Sequence, residues 1–200
     1  SMDVYASNLS SSMQLYSSNI HWNIDIYKPT IAKGYIVNKI SSGIRLRYSK
    51  YFLYPRTAIN QNGDINHIFD HSYSYLLNFI DSDRSVVTVH DLIPIIGWKG
   101  IFSGLRYPHY PLLFKLSTAS LHKAKAIIAV SENTKKDLVQ YCGISPEKIS
   151  VIYNGINESF RAMPKEKKAI LRKKFNFPDK AHIVLITGYQ QHKNHLTSFK

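Results

Sequence analysis

Cysteine is nearly absent from this chain of 200 residues: Cys142 stands alone, which excludes a disulfide framework and any multi-cysteine metal site. No apolar run is long enough to cross a bilayer. The N-terminus lacks the basic segment and apolar core that mark secretion, so a cytoplasmic setting is expected. Acidic residues are scarce: 13 Asp and Glu face 26 Lys and Arg, a formal net charge of +13. That excess predicts attraction to polyanions, whether nucleic acid, phosphorylated small molecules or an anionic membrane surface, without choosing among them. Three signatures are also missing. There is no GxxxxGK[ST] loop and no GxGxxG after a strand, which argues against an NTPase and a dinucleotide oxidoreductase, and there is no GxSxG elbow. The 9 histidines are scattered without metal-ligand spacing, so neither a metal nor another cofactor is expected.

What is present is a repeated strand-helix pattern. Hydrophobic residues make up 44% of the chain, enough to bury a core. The clearest unit spans 126–155. Residues 126–130 form a short unbroken apolar run, as in a strand covered on both faces. Ser131 then caps a helix in which Thr134, Leu138, Tyr141 and Cys142 recur at helical spacing, and Gly143 stops it. A second strand follows at 149–153, closed by Asn154-Gly155. Earlier in the chain the patterning predicts a helix from the first residues (Tyr5, Leu9, Met13, Tyr16), strands at 22–27, 65–69 and 85–89, and helix over 35–54, in one piece or two broken near Ser41-Ser42-Gly43, closed by Pro55. A further helix over 110–123 is expected to turn Leu113, Leu116 and Leu121 inward. Residues 98–110 read as a long loop or broken helix, a setting often functional. The fold class is therefore α/β, a Rossmann-like open parallel sheet with helices on both faces.

In such sheets ligands bind beyond the carboxyl ends of the strands, near the amides of the following helices. That edge would be lined by Asp70-His71, His90-Asp91, Ser131-Glu132 and Asn154-Gly155. Asp70 and Ser131 are read as helix caps, since Asp and Ser are preferred there, and Asn-Gly is a preferred turn. His90 is not a usual cap, and the apolar strand before it fixes its place; a structural and a functional histidine remain equal alternatives on these grounds. Asp91 is expected to hold the loop or the imidazole rather than to react. Arg45, Arg47 and Lys50 beside Tyr51 and Phe52 read first as a solvated helix face, with a membrane or polyanion face as the alternative. Lys193, after a strand and Gly188, has the setting of a phosphate contact.

Three stretches carry a resemblance: VVTVHDLIP (86–94), AIIAVSENTKKDLVQYCGISPEKISVIYNGIN (126–157) and HIVLITGYQQHKNH (182–195). Together they resemble the retaining, nucleotide-sugar-dependent glycosyltransferases of family 4 (group 1), which have the two-domain GT-B fold. The resemblance implies an acceptor-side Rossmann-like domain at 1–163 lacking its usual first strand. A basic inter-domain connection at 164–180 and the first strand and turn of a donor domain at 181–200 would follow, and the chain would end before the family's paired-glutamate motif. It implies sugar transfer from a nucleotide-diphospho-sugar donor to a glycan or lipid-linked acceptor. His90 and Asp91 would lie at the catalytic cleft; Gly188, His192, Lys193 and Asn194 would lie at the donor diphosphate; His71, Ser131, Glu132, Asn154 and Gly155 would line the crevice. Asn157 stands where the family usually has Asp. The implied location is the cytoplasm, with peripheral contact on the inner face of the membrane. The alternative class is a non-catalytic basic module that binds nucleic acid or another polyanion; against it, no RNA-recognition signature or helix-turn-helix pattern is present, so no specific nucleic acid is expected.

Overall fold

The computed structural model describes residues 2–16, 20–28, 41–101, 111–156, 162–178 and 180–185. Its Cα positions fall into two compact units, Ser1–Ile96 with Pro108–Tyr153, and Gly97–Tyr107 with Asn154–Lys200. The first unit holds a parallel sheet of β1 (Asn66–Ile68), β2 (Ser85–Val89), β3 (Ala126–Ala129) and β4 (Ile149–Val151), lying side by side in chain order. Val87, Thr88 and Val89 are all buried. Successive side chains of a strand point to opposite faces, so both faces of β2 are covered. Thr88 meets the Tyr5 hydroxyl of α1 (Met2–Tyr16) at 3.4 Å on one face. Val87 and Val89 join Leu76, Leu92, Leu121, Ile127 and Leu138 in the main apolar cluster. The fold class read from the sequence is the one observed.

The helix after β3, α6 (Glu132–Cys142), forms as its end signals dictate. The Ser131 Oγ accepts from the Thr134 amide at 3.1 Å. At the other end Gly143 takes the left-handed conformation, φ 66°, which costs glycine nothing. The Gly143 amide closes back on the Val139 carbonyl and the Ile144 amide on the Leu138 carbonyl, both at 3.2 Å, with Ile144 buried beside them. Ser131→Ala is expected to cost about 1 kcal/mol, read as a lowered urea midpoint at unchanged slope; an unaltered midpoint would show that the cap carries no stability.

Several expectations do not hold. Residues 20–28 have no regular structure, so the strand at 22–27 is not formed, and the described part of the strand expected at 182–187 is likewise irregular and exposed. A strand needs partners for its amides and carbonyls, and pattern alone does not supply them. Pro55 does not close the second helix. α2 (Ser42–Tyr48) runs through a π-turn (Ser49–Leu53) into α3 (Tyr54–Ala58), with Pro55 in its first turn, where a missing N–H is tolerated. The helix that the sequence predicts after Asp70-His71-Ser72, carrying Tyr75, Leu76 and Phe79, forms as a 3₁₀-helix, His71–Asn78, whereas the short α4 (Ile93–Trp98) after β2 is one that the pattern did not announce. α5 (Pro111–Ser120) turns Leu116 outward, 54% exposed, while Ser117 and Thr118 are buried and Leu121, just beyond it, is fully buried as expected. The reason is a close seam against the 3₁₀-helix. There the Ser74 hydroxyl bonds the Ser117 carbonyl, Ser117 Oγ donates to the Ser72 carbonyl at 3.3 Å, and Asn78 Nδ2 donates to Ser120 Oγ at 2.9 Å. Small hydroxyl side chains allow this approach and leucine would not. Residues 35–40 and 102–110 and the side chain of Leu113 lie outside the described residues.

In the second unit, α7 (Lys165–Lys174) is solvent-facing along its length, and Arg172 Nη2 donates to the Ala181 carbonyl at 2.7 Å.

Candidate functional site

β1 and β2 run parallel with Ile68 opposite Val87, so the residues after each strand leave the sheet at the same edge. This brings Asp70-His71 and His90-Asp91 together. The His90 Nε2–H donates to the Phe69 carbonyl at 3.0 Å. A carbonyl can only accept, so Nε2 carries the proton of this bond, and Nδ1 has no hydrogen-bond partner among the described residues. The Tyr5 ring meets the imidazole edge-to-face at 5.2 Å, and the His90 carbonyl accepts from Thr134 Oγ1 at 3.4 Å. α1, the end of β1 and the first turn of α6 therefore brace one histidine. Asp91 Oδ1 accepts from the Ile93 amide at 3.1 Å and so holds the turn into α4.

Asp70 caps the 3₁₀-helix, its Oδ1 accepting from the Ser72 amide at 2.8 Å. His71 is buried with its ring edge-to-face on Phe114 at 5.7 Å. Burial holds its pKa below the ordinary value, with the Asp70 and Asp91 carboxylates opposing that shift. Lys50 Nζ donates to Ser72 Oγ at 3.1 Å and stands 4.2 Å from the centre of the Tyr73 ring. Burial lowers the pKa of this ammonium, and Asp70 offsets part of the effect. Lys50 thus belongs to the sheet edge and not to the exposed basic face on which the sequence placed it. Tyr51 also turns inward onto the Tyr75 ring at 5.0 Å, whereas Phe52 stays exposed.

Ser131 serves as the cap already described, and its hydroxyl lies 2.9 Å from Thr134 Oγ1, one step from the His90 carbonyl. Glu132 is the exposed first residue of α6. Asn154 and Gly155 are exposed residues of the second unit. Gly188, His192, Lys193 and Asn194 lie outside the described residues. Sequence reasoning missed Tyr5, Lys50 and Thr134. Tyr5 and Thr134 lie at helical spacings that read as packing and Lys50 reads as a solvated charge, and only their tertiary partners reveal them. Among the described residues no group of three or more His, Cys, Asp or Glu is arranged to hold a metal ion.

An open parallel sheet with two imidazoles, two carboxylates and a half-buried lysine gathered at its carboxyl edge defines a Rossmann-like domain. Residues 25–160 match the Glycosyltransferase Family 4 profile, and the chain belongs to that family. It is also similar to serotype-specific mannosyltransferases WbdA of Escherichia coli. One is 25% identical over 115 residues, covering 54% of this chain and 14% of the relative. Another is 23% identical over 120 residues, covering 58% and 14%. The matched region is therefore a small part of the length of these curated relatives.

Proposed function

We propose that this chain is the acceptor-side part of a retaining glycosyltransferase that moves a sugar from a nucleotide-diphospho-sugar to a hydroxyl of a glycan or lipid-linked acceptor. The observation that carries the proposal is His90: in a chain of this family, an imidazole at the carboxyl edge is anchored through Nε2, and its Nδ1 has no partner among the described residues. A free ring nitrogen accepts from a hydroxyl, which suits it to orient the attacking acceptor or a hydroxyl of the transferred sugar. Lys193, with Gly188, His192 and Asn194, would offset charge on the departing diphosphate. The mannosyltransferase relatives make mannose the first sugar to test. The full-length enzyme given UDP- and GDP-sugars with hydroxyl acceptors should consume donor and form product of unchanged anomeric configuration, followed by proton NMR. Tight, steeply salt-dependent nucleic-acid binding without donor turnover would instead favour the polyanion-binding module.

The proposal includes peripheral contact with the anionic inner face of a membrane. Among the described residues no helix is long and apolar enough to cross one. Every charged residue between Asp25 and Asp64 is Lys or Arg. On α2 and the π-turn, Ile44, Leu46, Tyr48 and Phe52 are exposed beside Arg45 and Arg47. A shallow groove of about 340 Å³ is lined by Ile44, Arg47, Tyr48, Tyr51 and Phe52. Basic residues near such a surface contribute about 1 kcal/mol each, so binding should be reversible and fall with salt. Co-sedimentation with phosphatidylserine vesicles, and not with pure phosphatidylcholine, is the expected result; equal binding to both removes the electrostatic basis.

A further inference from the structure

His71 is the histidine at this edge with neither ring nitrogen hydrogen-bonded among the described residues. Asp70 is used on Ser72, Lys50 on Ser72, His90 on Phe69 and Asp91 on Ile93. The His71 side chain is only 9% exposed, its Nδ1 stops 3.6 Å from Asp70 Oδ1, and neither ring nitrogen has a hydrogen-bond partner among the described residues. A neutral imidazole always presents one donor and one acceptor. Burying both unmet is unfavourable, and native proteins rarely keep such a group without a use for it. Phenylalanine would fill the same space against Phe114 without that cost.

We propose that His71 is a second substrate-binding residue, whose imidazole holds a hydroxyl of a polyhydroxylated acceptor at the carboxyl end of β1. The inference rests on the glycosyl-transfer reading and names how that site recognises its acceptor. The ligand class follows from the ring and its surroundings. A hydroxyl both donates and accepts, so it can satisfy either nitrogen. An anion would face the Asp70 and Asp91 carboxylates, and a cation would face Lys50, all within electrostatic reach of the ring. The exposed sliver of the side chain is carbon, since both nitrogens are shielded from solvent. A half-turn about χ2 exchanges ring carbons and nitrogens in space and offers a nitrogen to the ligand.

The test uses the full-length protein with His71→Phe and His71→Gln. His71→Phe is expected to raise the melting temperature, because it removes unmet polar atoms, and to raise the acceptor KM about tenfold or more while leaving the donor KM unchanged. His71→Gln, which restores a donor and an acceptor, should recover part of the acceptor affinity. A lower melting temperature for His71→Phe with unchanged acceptor KM would make His71 a structural residue and overturn the proposal, as would an equal loss toward donor. If the wild type transfers no sugar, the glycosyl-transfer reading fails separately, and imidazole ¹⁵N shifts of His71 decide the site. Methyl mannoside should move them and inorganic phosphate should not; no movement with the sugar, or movement with phosphate alone, overturns the assignment.

Discussion

His90→Ala in the full-length enzyme is expected to lower turnover by roughly a hundredfold or more, the usual scale for losing a group that manages a proton in the transition state. Stability should change far less. The lost bond to the Phe69 carbonyl is worth about 1 kcal/mol, a fall of about 2–4 °C in Tm for a chain of this size. His90→Gln separates anchoring from chemistry, because a glutamine amide can still donate to that carbonyl while placing no acceptor where Nδ1 stood. It should melt near the wild type and be as inactive as the alanine variant. Full activity in the glutamine variant would mean that Nδ1 does no work. If the alanine variant melts the domain yet keeps its activity per folded molecule, the assignment of His90 to the cleft fails.

Acid should weaken the fold through His67 more than through any surface group. His67 sits on β1 with Nε2 2.8 Å from Thr88 Oγ1, and burial lowers its pKa to about 4 from an ordinary 6.5. The folded pKa lies below the unfolded one, so the unfolded chain takes up the proton first as pH falls. The contribution is complete above about pH 6.5, is lost progressively below it, and saturates below about pH 4. Between pH 7 and pH 4.5 the loss amounts to roughly 2–3 kcal/mol, a large fraction of a typical domain's 5–15 kcal/mol. His71, whose pKa is also lowered by burial, acts in the same direction. Urea midpoints across this range should fall steeply for the wild type and less steeply for His67→Gln. Parallel slopes would show that the acid sensitivity arises elsewhere.

Much of the sheet was legible because its signals are local. The apolar runs of β2 and β3, the Ser131 cap and the Gly143 stop each act within a few residues, and the structure realises all of them. The position of His90 followed from the same logic, as the first side chain past a buried strand. What failed depended on distant partners. α5 was read by its leucines, but Leu116 is 54% exposed and Ser117 only 1%, because the neighbouring 3₁₀-helix approaches too closely for large side chains. Lys50 carries a charge and so reads as surface, yet Tyr73 and Ser72 draw its ammonium inward. Pro55 reads as a stop, yet the π-turn before it carries the helix onward.

The four strands lie in the sheet in the order in which the chain makes them. Successive crossovers in such a run all step the same way across the sheet, so the winding never reverses between β1 and β4. Clefts in open α/β sheets form where the winding does reverse, because only there do neighbouring loops part in opposite directions. Among the described strands no such reversal occurs, which leaves the two margins of the row, beside β1 and beside β4. Of these two margins, the one beside β1 carries the assembled polar groups: Asp70 and His71 stand at its lip and His90 one strand further in. On the glycosyl-transfer proposal, an acceptor entering there would pass Asp70 and His71 first, reach His90 next, and meet Ser131 and the start of α6 only at the far wall.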